Sequence, residues 1–321
     1  MFYQIVKKVA RVAIKFYCRD IKINQKALLK NKGPLLLAVN HPNSFLDAII
    51  LCTLFDEPVY SLARGDAFKG KLISVFLRSL KMLPVYRVSE GVENLEENYS
   101  TFSACIELFK NNGIVLIFTE GRSENEWHLR PLKKGTARLA LTAWQQNIPL
   151  KILPIGLNYN SFFLFGKNVH VNIGDCIGSD IMKNTDGENG RQLNNITGAI
   201  QQQLQQRVYE IDSTDRQKKQ TTFRIKFSKI KTALLLLPGF AGLVLHWPFY
   251  FILKKLIEKK AALSGHFDSI IVGALLIFYP FLILFWALVA QFFLGDYRAI
   301  VIAAALPVCG WCCMQLNRQI D

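Results

Sequence analysis

Leu35-Leu36-Leu37-Ala38-Val39-Asn40-His41-Pro42-Asn43-Ser44-Phe45-Leu46-Asp47 is the stretch on which the reading of this chain turns. Residues 35–39 are an unbroken apolar run bounded by Gly33-Pro34, and they read as a short buried strand. Pro42 bars helix at His41, because the residue before a proline is pushed to extended geometry. Asn43 can cap a new helix from Ser44 to Phe55. His41 therefore sits on a strand-to-helix turn, and Asp47 falls in the first helical turns after it. A carboxylate so placed reaches back to the imidazole. Such a pair supports general-base chemistry: aspartate fixes the tautomer and stabilises the imidazolium, and histidine takes a proton from a hydroxyl. The same pair also occurs as a plain cap beside a surface imidazole, so the turn must be read with its surroundings.

Those surroundings repeat the strand-and-turn pattern. Residues 58–66 read as a second strand ending in a polar turn at Arg64, and Leu83-Pro84-Val85-Tyr86-Arg87 as a short apolar stretch ended by an arginine. A guanidinium fork suits a phosphate better than a point charge does, which makes Arg87 a candidate phosphate ligand. After a helix at 94–111, Asn112-Gly113 turns into Ile114-Val115-Leu116-Ile117-Phe118, the most strand-like run of the chain. It ends at Thr119-Glu120-Gly121-Arg122-Ser123. Ligands of open α/β sheets sit at the carboxyl ends of strands, where His41 and Glu120-Gly121-Arg122 both fall. Gly121 lets backbone approach a ligand, and the acid and arginine beside it can grip a phosphate and a neighbouring hydroxyl. Lys133-Lys134-Gly135 precedes a helix at 136–146, whose first N–H groups also favour anions. Strands at 151–157 and 168–173 and a polar helix at 191–210 follow. Alternation of strands and helices from 34 to 210 argues one α/β domain.

The 321 residues are 51% hydrophobic and only 20% charged, with a formal net charge of +15. A basic balance points to nucleic acid, an anionic membrane or anionic substrates. Stacking and groove-reading motifs are missing and the basic residues cluster beside apolar segments, so nucleic acid is not an expected partner. The seven cysteines fit no disulfide framework, and Cys309, Cys312 and Cys313 have no histidine beside them to complete a zinc site, so reduced thiols are expected. The first 17 residues lack the uninterrupted apolar core of a signal peptide. They read instead as an amphipathic helix over 2–17, with Phe2, Ile5, Val6, Val9, Ala13, Phe16 and Tyr17 on one side and Gln4, Lys8, Arg11 and Lys15 on the other. That is the pattern of a helix lying in an anionic membrane interface.

Composition changes near residue 215. Arg216, Lys218, Lys219, Arg224, Lys226, Lys229 and Lys231 come with no acid among them. Residues 234–253 are nearly uncharged but contain Pro238-Gly239 and Pro248 between basic flanks, which predicts a re-entrant or interfacial hairpin. Residues 269–294 are an uncharged run of 26, long enough to span with tilt, and 299–316 are 18 more. The positive-inside rule puts Lys254, Lys255, Lys259 and Lys260 on the cytoplasmic side and the loop 295–298 outside. The expected organisation is an interfacial helix at 1–20, an α/β domain at 25–212, a basic juxtamembrane segment at 213–233 and a helical membrane region at 234–321. The active site then faces the cytoplasm.

Taken in order, these blocks resemble the lysophospholipid acyltransferases, in particular those that make phosphatidic acid from 1-acylglycerol 3-phosphate. The resemblance covers roughly residues 25–210. His41 to Asp47 resembles the catalytic His–Asp block, and Leu83 to Arg87 the second block, whose arginine binds the acceptor phosphate. Phe118 to Ser123 resembles the Phe-Pro-Glu-Gly block of the glycerol phosphate site. Leu153-Pro154-Ile155 resembles the proline-centred block linked to the acyl donor, and Leu132-Lys133-Lys134-Gly135 a lysine–glycine step after the third block. Two departures stand out. Five residues separate His41 from Asp47 where the family usually has four, and Thr119 stands where proline is usual. Some glycerol-3-phosphate acyltransferases look similar at the first of these.

The resemblance implies a glycerolphosphate-acyltransferase-like α/β fold with a helical membrane region. It also implies that His41, held by Asp47, deprotonates an acceptor hydroxyl that attacks an acyl thioester, with oxyanion stabilisation by backbone N–H groups or a basic side chain. Arg87, Arg122 and Lys133 would hold the acceptor phosphate, and Glu120 and Gly121 would shape the glycerol site. No metal or other cofactor is expected; acyl-CoA or acyl-carrier-protein is a co-substrate. The expected partners are a lysophospholipid or glycerol phosphate acceptor and anionic membrane lipid. Lysophosphatidic acid leads as acceptor, before glycerol 3-phosphate or dihydroxyacetone phosphate, and then an amino-acid-headed lysolipid. A membrane-anchored hydrolase with His41, Asp47 and Glu120 as metal ligands is the alternative from another class.

Overall fold

The computed structural model describes residues 1–86, 95–182, 189–225, 228–261, 266–296 and 298–316. Its centre is the run that opened the sequence. Leu35–Val39 forms strand β2, buried at all five positions. It lies between two parallel neighbours, Ile114–Phe118 (β5) and Lys151–Tyr159 (β6), with Val39 opposite both Phe118 and Ile155. The carboxyl ends of β2 and β5 therefore align at one edge, while β6 runs on beside them to Tyr159. Successive side chains of a strand point to opposite faces. Leu35, Leu37 and Val39 enter one core and Leu36 and Ala38 the other, so both faces of the sheet are covered.

Among the described residues, Cys18–Ile23 (β1), Val59–Arg64 (β3), Met82–Val85 (β4) and Lys167–Ile173 (β7) join β2, β5 and β6 in a seven-stranded sheet of order β1-β7-β6-β2-β5-β3-β4. β3 and β4 extend the parallel part, and β7 pairs antiparallel with β6. One face carries Phe2–Tyr17 (α1) and Ser44–Leu54 (α2). The other carries Leu95–Lys110 (α4), Gly135–Gln145 (α5) and Asn189–Gln205 (α6). Lys71–Ser79 (α3) is a helix at the surface with no buried residue.

Several boundaries differ from expectation. Cys18–Ile23 is a strand, β1, pairing with β7, so the domain begins before residue 25. It has one partner only, and an edge strand tolerates the charges Arg19, Asp20 and Lys22 that hide it in the sequence. The segment 213–233 is not simply juxtamembrane. Arg216–Phe223 (α7) docks on the domain, with Phe223 buried and Lys219 Nζ 3.7 Å from the Trp127 ring centre. The hairpin expected at 234–253 is corrected: Lys229–Ala261 is one continuous helix, α8, with Pro238 and Pro248 inside it. A proline bends rather than ends an apolar helix when neighbouring helices hold both sides. Here Arg298–Leu316 (α10) comes so close that a Cβ at Gly242 would collide with the Cys309 backbone. On another side His246 Nε2 lies 2.9 Å from Tyr279 Oη of Phe267–Leu294 (α9).

The helices α8, α9 and α10 are long and apolar enough to cross a membrane. They are not separate from the α/β domain. Ile257 of α8 and Phe267, Ile271 and Val272 of α9 belong to the same core as Leu37, Leu46 and Ile50. The region beyond residue 234 thus completes one face of the sheet.

Candidate active site

The site lies at the aligned carboxyl ends of β2 and β5. Asn40 pins the exit of β2 to β6: its amide donates to Leu157 O at 3.0 Å, and its Oδ1 accepts from Leu157 N–H at 2.7 Å. The next residue is His41, whose Nδ1 lies 2.8 Å from Asp47 Oδ2. Asp47 is fully buried and also accepts the Asn43 N–H at 2.8 Å and the Tyr159 hydroxyl at 2.6 Å. A carboxylate only accepts, so His41 Nδ1 carries a proton, and in the neutral ring the lone pair is on Nε2. Burial and the neighbouring Asp47 push the Tyr159 hydroxyl well above its ordinary pKa, which keeps it a donor. The imidazole stacks on Phe118, centre to centre 3.7 Å, and is partly open to solvent.

Between His41 and Asp47 the chain turns through Ser44, whose φ is +49°. The left-handed region costs an L-residue roughly 1–2 kcal/mol, and here three contacts hold it. Ser44 N–H donates to Ser123 Oγ at 2.7 Å, and Ser44 Oγ lies 2.6 Å from His266 Nδ1. The preceding Asn43 donates its side-chain amide to Asp268 at 2.7 Å. His266 and Asp268 come from the start of α9 and were not identified in the sequence, where an acid at the lip of an apolar run marks only its boundary.

The loop after β5 wraps this turn. Glu120 is buried; one oxygen accepts the His41 N–H at 2.9 Å and the other the Arg130 N–H at 3.0 Å. Burial raises its carboxyl pKa, and the two N–H donors work against that rise. Expected to shape the glycerol site, Glu120 here ties two loops together by their backbones. Asn125 donates to Pro42 O at 2.8 Å, and Glu124 N–H to His41 O at 3.2 Å. Thr119, where the resembling family has proline, gives both N–H (2.8 Å) and hydroxyl (3.1 Å) to Val39 O, which a proline lacks the N–H to do.

Gly121 has φ +75°, and a Cβ there would lie 3.1 Å from Lys133 Cγ. The glycine thus lets the Lys133 stem pass over the loop. Lys133 and Arg122 are exposed at this rim, with Arg122 Nε 3.3 Å from Glu124. Arg64 ends the parallel strand β3 and pairs with Asp66, and the Arg130 guanidinium donates to Arg122 O at 3.2 Å. Neither was singled out as a ligand in the sequence, though Arg64 stands at a strand end like the others. Arg87 lies outside the described residues. The end of its block, Pro84 and Tyr86, lines a cleft with Phe68, Ser74, Arg78 and Ser100. Among the described residues no three His, Cys, Asp or Glu side chains are grouped to hold a metal ion, and both Glu120 oxygens are engaged by backbone.

Residues 20–158 match the family model described as Acyltransferase, a span that takes in His41, Asp47 and the loop that grips them. No curated protein sequence matches the chain at a significant level. Among solved structures the chain is similar to the 1-acyl-sn-glycerophosphate (LPA) acyltransferase PlsC from Thermotoga maritima. The identity is 14% and the TM-score 0.48, over 71% of this chain and 81% of that one, too distant a likeness to inform the chemistry. With a histidine–aspartate dyad in place inside the matched span, residues 20–158 are identified as an acyltransferase domain and the protein as an acyltransferase.

Proposed function

We propose that the enzyme transfers a fatty acyl group from acyl-CoA or acyl-carrier-protein to the hydroxyl of 1-acylglycerol 3-phosphate, giving phosphatidic acid at a membrane surface. The observation that carries this reading is the commitment of His41 Nδ1 to Asp47, which leaves Nε2 as the base. Nε2 takes the proton of the acceptor hydroxyl as its oxygen attacks the thioester carbonyl. The carbon–sulfur bond then breaks, and the thiolate leaves with the proton returned by the imidazolium. Asp47 stabilises the imidazolium between these steps, and Tyr159 and the Asn43 N–H keep Asp47 aimed. Arg122 and Lys133 at the rim, with Arg87 at the end of the second block, supply the cations for an acceptor phosphate.

Membrane attachment fits this substrate class, since each methylene drawn from lipid into water costs about 0.8 kcal/mol. α1 docks through Ile14 and Tyr17, and Lys7 and Arg11 cap backbone carbonyls at the end of α2. Its remaining surface exposes Phe2, Ile5, Val9 and Val12 beside Lys8 and Lys15. α3 exposes Leu72, Ile73, Val75 and Phe76, and the Phe76 ring meets Phe2 at 6.2 Å. Two apolar helix faces flanked by basic residues suit the headgroup region of an anionic leaflet.

The test is acyl transfer by membranes carrying the full chain, beside His41→Ala. Each acyl donor is offered with lysophosphatidic acid and with glycerol 3-phosphate. His41-dependent phosphatidic acid from the lysolipid is the expected result. Product from glycerol 3-phosphate alone would keep the dyad and change the acceptor. Full activity in His41→Ala would overturn the assignment of the base.

A further inference from the structure

Asp268 is 1% exposed, yet it sits in the first turn of the apolar helix α9. Burying a carboxylate there is costly unless it is paired and fully hydrogen-bonded. Asp268 is both. It pairs with the fully buried Lys167, accepts the Tyr17 hydroxyl at 2.5 Å, and accepts the Asn43 amide at 2.7 Å. Lys167 Nζ also donates to Ser161 O at 3.1 Å. Lys167 and Tyr17 tie Asp268 to β7 and α1. The third bond goes elsewhere, to the turn between His41 and Asp47.

That turn needs holding. Asn43 gives its backbone N–H to Asp47 and its side chain to Asp268, so one residue joins the dyad to α9. Ser44, in the left-handed region, meets His266 on the same helix start. Burial, with Arg64 and His41 nearby, lowers the His266 pKa. Phe267, Ile271 and Val272 pack into the core with Leu46 and Ile50 of α2. We infer that Asp268 and His266 are positioning residues of the reaction: through Asn43 and Ser44, the start of α9 sets the turn that brings His41 and Asp47 together across their longer spacing. The inference rests on the dyad reading above.

The experiment is a double-mutant cycle on the full chain. Asn43→Ala removes the link and leaves the Lys167–Asp268–Tyr17 cluster intact. Lys167→Met with Asp268→Leu removes the cluster from the other side without leaving a lone buried charge, a replacement that buried ion pairs often tolerate. Each is expected to lower kcat about tenfold to a hundredfold, with KM for donor and acceptor unchanged within about twofold. Combining them should add little further loss, since both cut the same link. An independent readout is the low-field proton resonance of His41 Nδ1–H, assigned by its absence in His41→Ala. It should weaken or vanish in Asn43→Ala. Wild-type kcat and an unchanged resonance in folded Asn43→Ala would overturn the inference. Fully multiplicative losses in the cycle would do the same, because a cluster that merely stabilises the fold does not act through Asn43. If the wild-type chain transfers no acyl group, the proposed reaction fails while the resonance still decides the positioning role.

Discussion

His170 shows how a single residue outside the site carries a measurable property of the whole domain. It lies buried on β7, with Nδ1 3.0 Å from Tyr209 Oη and its ring against Phe223. Burial, helped by Lys22 and opposed by Asp20, lowers its pKa to about 4. The unfolded chain therefore binds a proton that the folded one refuses between its ordinary value of 6.5 and about 4. Stability from this group is full above pH 6.5 and is lost as pH falls through that window. Between pH 7 and 5 the loss is about 1–2 kcal/mol once solvent screening is discounted. His170→Phe should narrow the gap between urea midpoints at the two pH values. An equal gap in both proteins would refute this. At the active site the same scale separates two kinds of legibility. His41 and Asp47 are readable from Pro42 and the helix start, because local chain geometry places them. Tyr159 and Asn43 are not, because their roles depend on which strand lands beside which turn.

At the scale of elements, apolar periodicity located β2, β3, β5, β6 and β7 and most helices, since a run buried on both faces announces itself. β1 escaped because an edge strand need not be apolar, and α3 because its charges masked an exposed stripe of Leu72, Ile73, Val75 and Phe76. The two prolines of α8 were given the weight they have in a soluble helix, and tertiary neighbours overrode them. The stripe on α3 has a direct test. Burying one leucine is worth about 1.5–3 kcal/mol. Leu72→Glu with Phe76→Glu, neither packed in the core, should therefore weaken binding of the detergent-purified enzyme to anionic vesicles at least about tenfold. Activity on a water-soluble short-chain acceptor should hold. Unchanged vesicle binding would remove α3 from the membrane surface.

For the whole molecule, the division into a soluble domain and a membrane anchor does not hold. Residues 1–225 alone would lack Ile257, Phe267, Ile271 and Val272 from one core and leave Lys167 without Asp268. Losing one partner of a buried ion pair costs about 3–5 kcal/mol, against a net stability of about 5–15 kcal/mol for an ordinary protein. That fragment is expected to be insoluble or to unfold without cooperativity, as read by solubility and trypsin resistance. A compact, protease-resistant fragment would show that the domain stands alone. The sequence hid this dependence because Asp268 sits at the edge of a hydrophobic run, where it reads as the last polar residue before a span. The signal was present all the same: an acid so close to an apolar segment is expensive, and asks for a partner.

The contact between Asn43 and Asp268 joins residues 225 apart in the chain. A ribosome adds about 5–20 residues per second, so the turn at His41 waits on the order of ten to forty-five seconds for its counterpart to be synthesised. Lys167, made later, waits through the last 101 of those residues for the same carboxylate. Throughout that interval the nascent chain has its histidine and its aspartate but not the support that aligns them. On the positioning role proposed for Asp268, the dyad is fully supported only once the start of α9 has been made, so a copy truncated before it is expected to be inactive.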